Sequence, residues 1–63
     1  MAKFEQYEAK TTARLNVRNK PNLDGDVIKI LDNGEHIKVL GKNGEFGRIG
    51  TKQYVMLKFT ERI

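Results

Sequence analysis

The chain has no cysteine, serine or tryptophan, a single proline and a single histidine. Without cysteine there is no disulfide, thiolate zinc site or thiol nucleophile, and without serine the other common nucleophile is gone as well. His36 alone completes no triad or dyad. One imidazole among scattered acids also lacks the three or four converging ligands of a metal site, so neither catalytic residues, metal nor cofactor are expected. His36 reads instead as a strand residue at the surface. Asp24, Asp26 and Asp32 have neither the D-x-D-x-D-G spacing nor the closing glutamate of a calcium loop, and read as turn formers. The longest apolar run is the four residues Tyr54-Val55-Met56-Leu57, far short of a membrane-spanning helix. Met1 to Glu5 carries no apolar segment of the signal-peptide kind. At 63 residues the chain makes one domain that buries only about 60% of its unfolded surface, so its stability is expected to be marginal.

What the sequence does have is charge, unevenly placed. The formal charge is +4. Residues 1–20 carry five basic groups (Lys3, Lys10, Arg14, Arg18, Lys20) against Glu5 and Glu8, a net +3. Residues 21–40 are net −2, with Lys29 and Lys38 against Asp24, Asp26, Asp32 and Glu35, and residues 41–63 are again net +3. Chain ends lying side by side would make one flank basic and attractive to a polyanion such as nucleic acid, anionic lipid or a cell-wall polymer. A solvated mixed-charge surface is the plainer reading, because no three basic residues are contiguous.

Turn signals recur at intervals of about ten residues: Pro21-Asn22 with Asp24-Gly25, Asn33-Gly34, Asn43-Gly44 and Gly50-Thr51. Asn-Gly and Asp-Gly supply the positive φ that tight hairpins need, and this spacing marks short strands in a sandwich or barrel. Leu15-Asn16-Val17-Arg18 and Ile37-Lys38-Val39 alternate apolar with polar, the period of a half-buried strand. Val27 to Leu31 is apolar without alternating, which predicts a bulge or burial on both faces. Phe46 and Arg48 share one strand face, Gly47 and Ile49 the other. Val55, Leu57 and Phe59 alternate with Tyr54, Met56 and Lys58, and Tyr7 to Ala13 reads as a first strand. The fold class is all-β, five or six short strands that must curl to remove their edges.

These residues spell a family pattern. Leu15-Asn16-Val17-Arg18, Pro21, Val27-Ile28, Leu31 and Gly34, then Ile37-Lys38-Val39-Leu40-Gly41, Gly44, Phe46, Arg48-Ile49 and Tyr54-Val55, together resemble the bacterial SH3 (SH3b, type 3) domain over about Ala9 to Phe59. The family usually has Trp where this chain has Phe46, and Gly-Trp-Val where it has Gln53-Tyr54-Val55. The resemblance implies a small SH3-like barrel at 9–63, with 1–8 a lead-in or linker. It also implies a non-catalytic module that binds peptidoglycan or another anionic cell-wall polymer. Such modules are commonly joined covalently to a peptidoglycan hydrolase, such as an endolysin, an N-acetylmuramoyl-L-alanine amidase or an NlpC/P60-type peptidase, which they hold on insoluble substrate. That places the domain at the cell wall, outside the cell, through its parent protein. A stand-alone chain with no signal of its own would be cytoplasmic.

Five residues are the candidate ligand contacts. Phe46 and Tyr54 offer rings for stacking on sugar or peptide, with Arg48 beside Phe46 to take a carboxylate. The alternative is that both rings plug the ends of the barrel. Asn16 and Arg18 face away from Leu15 and Val17, with local work as their first reading: an amide bonding to backbone and a guanidinium covering the turn at Pro21. Phe46→Ala or Tyr54→Ala is expected to weaken wall binding without lowering the melting temperature by more than a few degrees. Phe4 and Tyr7 either pack across the barrel's open end or belong to the linker. Other readings are a small basic barrel binding nucleic acid and a stand-alone phage or bacterial protein-interaction domain. A polyproline-binding SH3 lacks its ALYDY-like strand and Trp pair here. The expected state is a monomer without membrane or nucleic-acid partners, an unpaired edge strand being the one feature that would support weak dimers.

Overall fold

The turn residues break the chain where their chemistry requires. In the computed structural model, which describes residues 4–63, eight short strands follow one another. They are β1 Tyr7–Thr11, β2 Leu15–Arg18, β3 Val27–Leu31, β4 His36–Val39, β5 Gly41–Asn43, β6 Phe46–Gly50, β7 Gln53–Met56 and β8 Thr60–Arg62, with a 3-10 turn at Leu57–Phe59. The all-β expectation is met. The strands beyond the expected six are β5, which continues β4 past a break at Leu40, and β8, which follows the 3-10 turn. Gly34 and Gly44 sit at φ of 85° and 62°, the left-handed conformation for which their Asn-Gly turns select glycine.

The strands form two antiparallel sheets, ordered β4-β1-β8 and β3-β2-β7-β6-β5. The chain crosses between them at residues 12–14, at residues 32–35, at Leu40 and at the 3-10 turn. Backbone bonds from Leu40 N to the Arg48 carbonyl (2.7 Å) and from Thr12 N to the Phe59 carbonyl (2.8 Å) pin two of these crossings. The expected closure does not occur: each sheet keeps two free edges. Strands of three to five residues cannot accumulate the tilt and stagger that a closed ladder requires. The edges are blunted in other ways. β5 is only three residues long, and β3 carries Lys29 and a bulge, both of which discourage pairing.

The bulge accounts for the unalternating run in β3. Val17 stands opposite Lys29 and Arg18 opposite Val27, which leaves Ile28 as the extra residue. Burial on both faces is not found: Val27, Ile28 and Ile30 are 45%, 50% and 49% exposed, and only Leu31 is buried. The main core is a cluster of Leu15, Val17, Leu31 and Val55, against which Ile37 and Ile49 pack. Ala9 and Val39 are buried as well.

Thr11 is the one buried polar residue among those described, at 1% exposure. Its hydroxyl donates to the Asp32 carbonyl (2.5 Å) and accepts from Glu35 N (3.0 Å), so it ties β1 to the turn before β4. Thr11→Val keeps the shape and deletes both bonds, leaving the hydroxyl's part-buried partners, the Asp32 carbonyl and Glu35 N–H, with only their long mutual bond of 3.4 Å. A loss of about 1–3 kcal/mol is expected, read as a lower urea midpoint, with Thr11→Ser retaining more of the wild-type stability. An unchanged midpoint for the valine variant would show that the hydroxyl contributes nothing net.

The chain ends do lie side by side. β1 begins at Tyr7, inside the stretch 1–8 read as a lead-in, with Tyr7 opposite Val39 and Glu8 opposite Lys38; residues 1–3 of that stretch lie outside the described residues. β8 pairs along the other side of β1. The Arg62 guanidinium sits 4.6 Å from the Tyr7 ring centroid, and the Phe4 ring is 6.2 Å away from Tyr7. This flank is not a basic stripe. Glu8 faces Lys38, and Lys10 faces Glu61 on one side and the exposed His36 on the other, so opposite charges meet across the strands.

Candidate functional site

β2, β7 and β6 place alternate residues on two faces of the larger sheet. Val17, Val55 and Gly47 face the core. Asn16, Arg18, Tyr54, Met56, Phe46 and Arg48 face the other way, because directly opposed residues share a face. The register puts Arg18 opposite Tyr54, Tyr54 opposite Arg48, and Met56 opposite Phe46. One row across the sheet therefore reads Arg18–Tyr54–Arg48, a half-buried tyrosine between two guanidiniums, with neighbouring side-chain origins about 5 Å apart.

The adjoining row forms the floor of a cleft of about 150 Å³, lined by Arg14, Leu15, Asn16, Arg18, Leu23, Phe46, Met56 and Phe59. Of the candidate residues, Phe46, Asn16 and Arg18 line this cleft, whereas Tyr54 and Arg48 lie one row along and do not. The site holds one corrected expectation. Phe46 is only 7% exposed and offers no free ring for stacking. It is buried outside the main core cluster, on the cleft side, which is close to the plugging role given as its alternative.

Arg18 turns out to do local work. Its Nη1 donates to the carbonyls of Leu23 (3.2 Å) and Gly25 (3.0 Å) and so clamps residues 19–26 against the end of β2. Asn19 closes the same loop: its side-chain oxygen accepts from Asp26 N at 2.9 Å, and its backbone N donates to the Asp26 carbonyl at 3.1 Å. Asn22 contributes an Asx turn through Asp24 N at 2.9 Å. Gly25 is required here for space rather than for φ, since a Cβ on it would lie 2.9 Å from Lys20 N. The loop is thereby held in one shape, with Leu23, 65% exposed, at the cleft's rim.

Arg14, Leu15, Leu23, Met56 and Phe59 line the cleft without having been singled out as site residues. Alternation had carried Phe59 along a strand on the face of Val55. The strand ends at Met56 instead, and the 3-10 turn swings Phe59 over the cleft, 39% exposed. Thr60 stops the turn, its N–H and its hydroxyl both bonding to the Leu57 carbonyl; a hydroxyl residue three places after an apolar one was the available signal. The Lys58 ammonium lies 5.1 Å from the Phe59 ring centroid, a cation–π contact that puts a positive charge on the ring at the cleft's edge. No acidic side chain lines the cleft.

Two small antiparallel sheets exchanging strands at sharp breaks, with a partly apolar cleft on the outer face of one and a loop clamped over its rim, define a small SH3-like β binding module. The bacterial SH3 domain matches residues 13–57, and the chain belongs to that family. The match spans β2 to β7 and every cleft residue except Phe59. The family is one of binding modules typically found in cell-wall-associated proteins. No curated protein and no solved structure matches the chain significantly.

Proposed function

We propose that this chain is a non-catalytic peptidoglycan-binding module, the targeting part of a cell-wall hydrolase such as an endolysin, an N-acetylmuramoyl-L-alanine amidase or an NlpC/P60-type peptidase. On this reading it works outside the cell, at the wall, with a covalently linked catalytic domain as its partner. The cleft carries the proposal: an apolar floor rimmed by Arg14 and Arg18 with no acid in its lining, suited to a wall polymer that is anionic overall. Family membership supplies the setting. Tethering then converts each cutting event into a local encounter, raising effective concentration without any new catalytic contact.

Co-sedimentation with purified Gram-positive sacculi tests this. The folded chain is expected in the pellet at low and moderate salt. Phe59→Ala, which removes the exposed ring at the cleft's rim, should weaken retention by about tenfold, or ~1.4 kcal/mol, with the circular dichroism spectrum unchanged. A folded chain that stays in the supernatant at both salt concentrations would sink the proposal. The Arg18–Tyr54–Arg48 row is also the kind of basic-aromatic surface on which single-stranded nucleic acid binds. A salt-dependent shift with single-stranded DNA, in a chain that ignores sacculi, would favour that second reading.

A further inference from the structure

Resting on the wall-binding reading, we infer that the cleft takes the terminal carboxylate of a peptide together with the small apolar residue that bears it. Size sets the first limit. A cleft of about 150 Å³, by a measure in which one water needs about 10–15 Å³, has room on its floor for one small residue at the end of a chain. Chemistry sets the second. Leu15, Leu23, Phe46, Met56 and Phe59 make most of the lining apolar, and the remaining three groups are Asn16, Arg14 and Arg18.

Charge decides the polar end of the ligand. The two guanidiniums, with the Lys58 ammonium over Phe59, face no carboxylate within the lining, and the nearest acids along the chain, Asp24 and Glu45, stand outside it. Arg18 is held in place by the two loop carbonyls it bonds, so its positive charge is preorganised rather than recruited on binding. Arg14, exposed at the mouth, is left to pair with an anion in the charge-assisted geometry that guanidinium and carboxylate share. A sugar or polyol phosphate would also answer the charge. It would bring several hydroxyls into a cleft whose only uncharged polar side chain is Asn16, and buried hydroxyls without partners are costly. A carboxylate on an alkyl-bearing residue meets both requirements.

The test titrates the full isotopically labelled chain, by NMR, with acetyl-Ala-Ala, with its C-terminal amide and with ribitol phosphate. The free acid should shift the backbone signals of Asn16, Phe46 and Met56, and the amide should bind at least about tenfold more weakly, the scale of one lost charge-assisted contact. Arg14→Gln should bring the acid down to the affinity of the amide and leave the amide's own affinity unchanged. Arg14→Lys, which keeps the charge but not the fork, should fall between. Equal binding of acid and amide, tighter binding of ribitol phosphate, or no shift with any of the three would overturn the inference. Each of those results leaves sacculus sedimentation standing, whereas a chain that fails to sediment removes the reading beneath.

Discussion

Phe46→Ala should cost about 3–5 kcal/mol of stability, the usual range for emptying a buried aromatic site. A domain of this size draws only about 3–5 kcal/mol from a single core, so the variant is expected to be largely unfolded at 25 °C. Phe46 is the largest of the buried apolar residues and is 7% exposed. It lies opposite Met56 on the next strand, and together they form the cleft floor. Removing the ring leaves a cavity that short strands flanked by a clamped loop can refill only in part. Urea titration followed by far-UV circular dichroism reads the effect. A variant that melts within a few degrees of the parent yet no longer sediments with sacculi would show the ring serving the ligand instead of the fold. The strand pattern alone points to this second outcome, and the 7% exposure of Phe46 to the first. Phe59→Ala is the cleaner probe of binding, because its ring is partly in solvent already.

Leu31→Ala should cost about 2–4 kcal/mol, while Ile30→Ala, one residue earlier on the same strand, should cost less than about 1 kcal/mol. Leu31 is 3% exposed and belongs to the main core cluster, opposite Leu15. Ile30 is opposite Asn16 on the outer face and 49% exposed. The two side chains are isomers, so the difference between the variants measures burial and little else. For a domain this small each kcal/mol moves the midpoint by about 4–8 °C, and the two melting curves should separate clearly. Equal losses would mean that β3 buries both faces, as a parallel or covered strand does, and that the bulge at Ile28 is wrongly placed.

Fold class was readable because it depends on short-range rules. The Asn-Gly pairs at 33–34 and 43–44 demanded positive φ and received it. Alternation in Leu15–Arg18 put Leu15 and Val17 inside and Asn16 outside. The irregular run at Val27–Leu31 pointed to a bulge or to burial on both faces, and the bulge is what is there. Three candidate contacts, Asn16, Arg18 and Phe46, came together in one cleft: periodicity put Asn16 and Arg18 on one side of β2, and the register of β2, β7 and β6 added Phe46 to that face. The same periodicity failed for Phe59. It treats a strand as continuing until a turn residue stops it, and no glycine, proline or asparagine marks the end of β7. The 3-10 turn is closed instead by bonds from Thr60 to the Leu57 carbonyl, a local competition that alternation cannot register.

Turn chemistry and period-two patterning thus established from residues alone an all-β fold, and the motif string from Leu15 to Val55 carried the resemblance to the bacterial SH3 family that the family match bears out. Closure, exposure and the membership of the cleft were set elsewhere. The sheets stay open because their strands are too short to stagger round. Arg18 bonds two carbonyls five and seven residues on, the local work that its place before Pro21 already suggested. Phe46 pairs with Met56 across the β6–β7 hairpin, and Phe59 joins them in the cleft lining from beyond β7. The cleft joins β2 to β6, β7 and the 3-10 turn, segments far apart in sequence, and a pattern of neighbours contains no information about which distant segments will meet.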